Sequence, residues 1–325
     1  MPNSGAKPPA GTRLVFFGNE RLATNVATDL PVLTMLVDEG YDIVAIVASD
    51  SGTTSRKQRA LEVEEFAISH NIPYFSPKKL ADVRDNLQKL QAQAGVLVAY
   101  GKMVPENIIS LFPHGIINIH PSSLPKHRGP IPLEAVILDD SRETAVSLMA
   151  LVRAMDAGPV YAQTTVELRG DETKQALADI LGGIGSAMLR AMLPEILSGE
   201  CVAKPQDDTA ATYDARITKA DGVLDFTKSA LQLEREVRAY AGWPSSRAIV
   251  AGKDITVTTA HVEATNDSTR QMPSVGSIST GTDRKSLRIQ TNDGVLVIDH
   301  LKPAGKNEMS AAAFIAGYGK TIETK

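Results

Sequence analysis

Short, unbroken apolar runs alternate along the first half of the chain with longer stretches in which apolar residues recur at helical spacing. Leu14-Val15-Phe16-Phe17-Gly18 is an apolar run closed by glycine, the pattern of a buried strand. Leu30 to Glu39 carries apolar residues at helical spacing and stops at Gly40, and Asp42 to Val47 is a β-branched run that predicts a second strand. Gln58 to His70 reads as a helix and Ile72 to Phe75 as a short strand. A helical stretch near Asp82 to Ala92 precedes a fourth strand over Gly95 to Tyr100. Pro105 to Phe112 is a short helix with proline near its start, and Gly115 to His120 is a fifth strand. Strands and helices alternating at this spacing predict an α/β fold with a doubly wound, mostly parallel, Rossmann-like sheet.

The pattern then changes. Ala145 to Val152 and Val160 to Leu168 predict two strands joined by a loop, and Asp171 to Leu197 predicts a long helix closed by Gly199. Leu231 to Tyr240 is amphipathic at helical spacing. From Ala248 onward, short β-like runs (Ile255 to Val257, Val275 to Ile278, Leu287 to Ile289, Val295 to Ile298) alternate with Gly, Asn and Asp turns, which predicts a small OB-like β-barrel. The expected domains are a flexible leader over 1–12, an α/β domain over 13–200, a linker over 201–214 and a β-barrel domain over 215–325.

Composition narrows the class. The 325 residues are 43% hydrophobic and 22% charged, ordinary for a globular protein. The net charge of -4 is uneven: residues 211–325 carry 15 basic against 13 acidic side chains, and the preceding 210 carry 19 against 25. A mildly basic tail domain on an acidic body permits a polyanionic partner. The single cysteine, Cys201, allows no internal disulfide, which suits a reducing compartment. No run approaches the roughly 20 apolar residues of a membrane span. The expectation is therefore a cytoplasmic monomer without membrane association.

Candidate chemistry concentrates at one place. Asn118 and His120 end the fifth strand two residues apart, so their side chains share one face. Asp156 lies in the turn Met155-Asp156-Ala157-Gly158-Pro159. Open parallel sheets bind ligands beyond the carboxyl ends of their strands. Alone, His120 could cap a strand and Asp156 could make an Asx turn; together they form a candidate site. An amide and an imidazole can polarise a carbonyl, and a carboxylate can hold the imidazole in its working tautomer. There is no G-x-G-x-x-G dinucleotide motif after Gly18, no phosphate-binding P-loop and no G-x-S-x-G elbow. His114, His120 and His127 fit no common zinc spacing, so no metal is expected.

These residues carry a family resemblance. Asn118-Ile119-His120, the turn Ser122-Ser123-Leu124-Pro125, Arg128-Gly129 and Asp156-x-Gly158 resemble the core of the folate-dependent formyltransferases. Val98 to Pro105 resembles the strand and turn beside their folate pocket. Further along, Thr212-Tyr213, Ile217-Thr218-Lys219, Asp225-Phe226, Ala230 to Arg235, Trp243-Pro244 and Pro303-Ala304-Gly305-Lys306 look like the methionyl-tRNA formyltransferase branch.

The resemblance implies 10-formyltetrahydrofolate as co-substrate, initiator methionyl-tRNA as acceptor and partner, and no metal. It implies that Asn118 donates to the formyl oxygen, that His120 stabilises the oxyanion, and that Asp156 orients His120 and favours its protonated form. Val98, Ala99, Tyr100, Gly101, Ser122, Ser123, Leu124 and Pro125 would line the folate cleft. Arg56, Lys57, Arg59, Arg235, Arg247, Lys302 and Lys306 would meet tRNA phosphates, with Arg238, Arg284, Lys285 and Arg288 nearby. This chain departs from the family in three places. The basic loop at Ser49 to Gln58 is short, His127 replaces the usual aromatic residue, and the turn Gly18 to Ala23 lacks the usual Pro and Phe. The rival readings are a formyltransferase for an amino sugar nucleotide or glycinamide ribonucleotide, a formyltetrahydrofolate hydrolase, and a non-catalytic tRNA-binding protein.

Overall fold

The computed structural model describes residues 11–49, 61–263, 274–281 and 285–322. Arg56, Lys57, Arg59 and Arg284, almost all of the predicted leader, and the basic loop beyond Ser49 lie outside the described residues. The chain forms two compact units. The first comprises the described residues of Met1–Leu133, Arg142–Arg169 and Gln175–Arg216; the second comprises those of Glu134–Ser141, Gly170–Lys174 and Ile217–Lys325.

The first unit is built on a seven-stranded sheet. Its strands are β1 (Arg13–Gly18), β2 (Asp42–Val47), β3 (Tyr74–Phe75), β4 (Ala94–Val98), β5 (Ile116–His120), β6 (Glu143–Ala150) and β7 (Val160–Glu167), in the order β3-β2-β1-β4-β5-β6-β7. β1 to β5 run parallel, whereas β6 and β7 are added antiparallel. All residues of β4 and β5 are buried, which is why they read as continuous apolar runs rather than alternating ones. β7 is a largely exposed edge, and its sequence is correspondingly polar at Gln163, Thr164 and Thr165.

The strand order reverses between β1 and β4, where chains leave the sheet in opposite directions and open a crevice. Gly18 permits the close approach there. Its φ is +119°, and a Cβ would lie 1.8 Å from the Val98 carbonyl oxygen. The next turn positions helix α1 (Pro31–Asp38): both carboxylate oxygens of buried Glu20 accept backbone amides, from Val32 at 2.9 Å and Leu33 at 2.7 Å. Helix α2 (Glu62–Ser69) opens with Glu62, Glu64 and Glu65, favourable charges for a helix N-terminus. A 3-10 turn at Leu80–Val83 leads into α3 (Arg84–Lys89), and α4 (Glu106–Ile109) follows Pro105. Helix α5 (Pro132–Leu138) has no counterpart in the sequence reading.

Helix α6 (Lys174–Ser198) is long and apolar enough, by length and composition, to cross a membrane, so the expectation that no segment approaches that limit is corrected. Its small residues serve packing. Gly185 leaves room for Ile119 of β5 and Val146 of β6, and Leu177, Leu181, Leu189 and Leu193 are buried. The segment 201–214, expected as a linker, lies on the first unit. Lys204 exchanges backbone hydrogen bonds of 2.8 Å with Val160, Thr212 N–H donates to the Pro125 carbonyl, and Asp214 N–H donates to the Arg128 carbonyl. Its polar sequence is that of a strap whose partners are backbone groups, which leaves no apolar period to read.

The second unit is an antiparallel half-barrel. Strands β8 (Ser246–Val250), β9 (Lys253–Glu263), β10 (Ile278–Thr280), β11 (Leu287–Gln290) and β12 (Val295–Pro303) follow the order β10-β11-β12-β9-β8, with β13 (Met309–Ser310) beside β12. Helix α7 (Ala230–Ala239) is capped by the Ser229 hydroxyl, which accepts from the Gln232 amide at 3.1 Å. Leu233 and Val237 of α7 join Ile255, Val257, Leu287, Ile289, Leu296 and Ile298 in one core with Phe314 of α8 (Ala311–Ile322). β8 and α8 were not legible in sequence; α8 is alanine- and glycine-rich and gains its place through Phe314 and Ile315. Ion pairs hold the two early segments to this unit: Arg235 to Asp140, and buried Lys174 to buried Glu134 at 3.5 Å. Trp243-Pro244 is a cis peptide at a structural corner.

Burial pushes the Glu20 carboxyl up to about 7, against the two helix amides that favour its ionised form. A carboxyl with a raised folded-state pKa binds its proton more tightly folded than unfolded, so its contribution to stability falls as pH rises from about 4.5 to about 7. Urea denaturation of the wild type and Glu20→Gln at pH 5 and pH 7.5 should show a decline of at most about 3 kcal/mol in the wild type that the variant lacks.

Candidate active site

Asn118 and His120 stand on β5 with Ile119 between them facing the opposite side of the sheet, toward Gly185. Cross-strand pairing sets their depth: Asn118 lies opposite Met149 and His120 opposite Ser147 of β6. Both are nearly buried, at 5% and 6% exposure, and both line one cleft of 1640 Å³. The Asn118 amide has no side-chain hydrogen bond among the described residues and is available to a ligand.

The His120 ring is held between two oxygens. Nε2–H donates to the His127 carbonyl at 3.1 Å, and Nδ1 stands 3.8 Å from Asp156 Oδ1, an ion-pair separation longer than a hydrogen bond. An imidazole facing acceptors from both nitrogens can donate to both only as the imidazolium. Asp156 Oδ2 accepts the Gly129 amide at 2.8 Å, so the loop that holds His120 also holds its carboxylate. The Asp156 turn is tight: Asp156 has φ +48°, and a Cβ on Gly158 would fall 1.7 Å from the Ala150 carbonyl oxygen.

The loop from Pro121 to Gly129 is fastened from several sides. Ser147 donates to the Ser122 carbonyl at 2.7 Å, and the Gln163 amide donates to the Leu124 carbonyl at 3.0 Å. The His127 amide donates to Thr212 Oγ1 at 2.8 Å, and His127 Nδ1 pairs with Asp214 at 3.1 Å. The departure from an aromatic residue at His127 therefore has a polar partner in the strap. Arg128, 1% exposed, donates to Gln206, Tyr213 and Asp208. The desolvation penalty on its guanidinium is outweighed by Asp208 and Tyr213, and its pKa is raised.

Of the residues expected at a folate pocket, Ala99, Tyr100 and Gly101 line this cleft, together with Asn19, Arg21, Met103, Val104 and Leu151. Val98 and the turn Ser122, Ser123, Leu124 and Pro125 are not among the lining residues. Val98 ends buried β4, Ser122 is fully buried with its hydroxyl donating to the Lys126 carbonyl, and the turn closes on itself behind His120. The Tyr100 hydroxyl is buried without a partner, and burial pushes its pKa up to about 12. It is therefore neutral, an unpaired polar group beside the core formed with Phe17, Ile108 and Phe112. Apolar walls with one free amide suit an aromatic heterocycle with polar edges. Among the described residues no group of three or more His, Cys, Asp or Glu is placed to hold a metal.

The basic residues divide by what they already touch. Arg235 is mostly buried against Asp140, and Arg247 donates to the Lys219 carbonyl. Arg235 is thus corrected from a phosphate contact to an internal strut, and Arg247 is partly spent. Arg238 is bound to Glu234 and to the Glu172 carbonyl, and Arg288 to Glu263. Lys302 and Lys306 are exposed and form no ion pair among the described residues. The sequence reading missed Gln163, Gln206 and Asp214. Each acts through backbone groups or a single side chain distant in sequence, which leaves no local motif.

Gly158→Ala must displace the turn that carries Asp156. It should lower stability by roughly 1–3 kcal/mol in urea denaturation, the usual cost of overpacking.

The comparisons with known proteins agree with this geometry. The family model described as Formyl transferase matches residues 20–192, and that described as Formyl transferase, C-terminal domain, matches 216–319. A methionyl-tRNA formyltransferase of Chloroflexus aggregans is 33% identical over 309 residues, covering 94% of this chain and 97% of the relative. Among solved structures, HypX from Aquifex aeolicus in complex with tetrahydrofolic acid superposes with a TM-score of 0.63 at 16% identity, covering 94% of this chain and 47% of that one. An N-formyltransferase from Helicobacter canadensis, in complex with folinic acid and dTDP-3-aminofucose, gives 0.63 at 15% identity, covering 89% and 98%. The solved structures share the fold; the matched models and the near full-length sequence likeness go further, and the chain belongs to the formyl transferase family, on its methionyl-tRNA formyltransferase branch.

Proposed function

We propose that this enzyme transfers the formyl group of 10-formyltetrahydrofolate to the amine of methionine carried by initiator methionyl-tRNA, preparing it for translation initiation. The observation that carries the reading is the placement of an unspent Asn118 amide and a His120 ring held by the His127 carbonyl on one face of β5, with Asp156 at 3.8 Å, in a cleft of 1640 Å³. Pockets for one small ligand usually span about 300–1000 Å³. This cleft has room for a folate and for the end of an acceptor.

In this reading the amine nitrogen attacks the formyl carbon. A carbon–nitrogen bond forms, and the carbonyl electron pair moves to oxygen. Asn118 donates a hydrogen bond to that oxygen. The Nδ1 of His120, not hydrogen-bonded to Asp156, donates to the oxyanion, while Asp156 fixes the ring and offsets its charge. Collapse restores the carbonyl and expels the folate nitrogen, which takes up a proton as the amine gives one up. Lys302 and Lys306, exposed and without an ion pair among the described residues, would meet tRNA phosphates. The reading includes a monomeric, cytoplasmic enzyme without membrane association.

An amino sugar nucleotide as acceptor is the second reading, since sugar formyltransferases share this fold at 15% identity. The 33% identity to a methionyl-tRNA formyltransferase over 94% of the chain favours the first. Single-turnover transfer from 10-formyltetrahydrofolate, run with initiator methionyl-tRNA, elongator methionyl-tRNA and no acceptor, separates them. Product on the initiator species is expected; formate release without acceptor, or no transfer to either tRNA, sinks the proposal. Asn118→Ala and His120→Ala should each lower the transfer rate on the order of 100-fold or more, with secondary structure by circular dichroism unchanged.

A further inference from the structure

The strap over residues 204–214 does more than cover the first unit. Gln206 reaches the Asp156 turn with one amide group and binds it twice: Nε2 donates to the Asp156 carbonyl at 2.8 Å and to the Gly158 carbonyl at 2.7 Å. An amide can be placed either way round, and only one orientation offers both donors to those carbonyls. Arg128 imposes it. Its Nε and Nη2 converge on Gln206 Oε1 at 3.1 and 2.8 Å, a fork that accepts no donor in that position. Arg128 is in turn fixed by Tyr213 at 2.7 Å and by Asp208 at 2.7 Å. The turn needs such a hold: Asp156 has a positive φ, and Gly158 leaves no space beside Ala150.

We infer that Gln206, oriented by buried Arg128, is a positioning residue for Asp156: it clamps both carbonyls of the catalytic turn and so sets the carboxylate against the His120 ring. This rests on the formyl-transfer reading above. The clamp explains why Arg128 is buried at all. Its guanidinium and the Asp156 carboxylate flank the same loop: the Gly129 amide holds the carboxylate directly, and the Gln206 amide links the Arg128 side chain to the carbonyls of the turn. The inference predicts that Gln206 governs the rate of the chemical step and leaves substrate binding alone, because Gln206 does not line the cleft.

Gln206→Glu is the direct test. It keeps the size and the Arg128 partner and replaces the double donor with an acceptor facing two carbonyls. In single-turnover transfer the rate at saturation should fall at least about 10-fold, with KM for 10-formyltetrahydrofolate and for methionyl-tRNA within about 2-fold of wild type. The same change is then made in an Asp156→Asn background. If Gln206 acts through Asp156, the second substitution adds little to the first; a full, additive loss in that background overturns the inference, as does a wild-type rate in Gln206→Glu. Should Gln206→Glu fail to fold, Asp208→Asn releases one partner of Arg128 from a solvent-exposed position. It should lower the rate at saturation about 2- to 5-fold, and that loss should vanish in the Asp156→Asn background; additivity again overturns the inference. A wild-type enzyme that transfers no formyl group to methionyl-tRNA is a failure of the functional reading, seen before any variant is made.

Discussion

One buried charge organises the catalytic unit. A guanidinium removed from water must satisfy its donors inside the protein or destabilise it. Arg128 does so through Gln206, Asp208 and Tyr213, all from the polar strap, which backbone hydrogen bonds to Val160, Pro125 and Arg128 also hold. Once the strap is in place, Thr212 and Asp214 reach the His127 backbone and ring, and the His127 carbonyl fixes His120. The site is therefore assembled by satisfying one cation, and the hydrophobic core beneath it supplies the platform.

The same unit separates rigid from receptive groups. The loop Pro121 to Gly129 and the Asp156 turn are fastened by several hydrogen bonds, the kind of preorganisation that electrostatic catalysis requires. Asn118, by contrast, stands in the cleft wall without a side-chain hydrogen-bond partner among the described residues. Polar groups left open in an otherwise satisfied site mark where a ligand completes the structure. The reversal of strand order between β1 and β4 explains why the crevice opens there, and Gly18 explains how the two strand ends approach so closely.

Charge counting in the second unit misled where charge pairing decided. Arg235, Arg238 and Arg288 each have a carboxylate partner, so their charge is already partly neutralised within the protein. Glu134 and Lys174 do the same from within: burial pushes the carboxyl up and the ammonium down, and each charge restrains the other. What remains open to a phosphate backbone among the described residues is narrower than the sequence suggested, with Lys302 and Lys306 its clearest members.

The sequence by itself determined the alternation of buried strands and helices, the mostly parallel body, and the presence of Asn118, His120 and Asp156 at strand ends and turns; that the last two strands join it antiparallel came from the structure. The sequence-determined features follow from short-range rules: apolar runs, periodicity, and glycine or proline punctuation. Helix α8 and strand β8 escaped the same rules, because an Ala- and Gly-rich helix and a five-residue strand become stable only against the core they join. The tertiary structure alone decided that Ser122 to Pro125 back the site instead of lining it, that the presumed linker is a strap, and that Gln206 touches the catalytic turn 50 residues away in sequence. Those outcomes depend on hydrogen bonds between backbone groups and isolated polar side chains. Such bonds have direction and distance but no period along the chain, so only the folded protein reveals them.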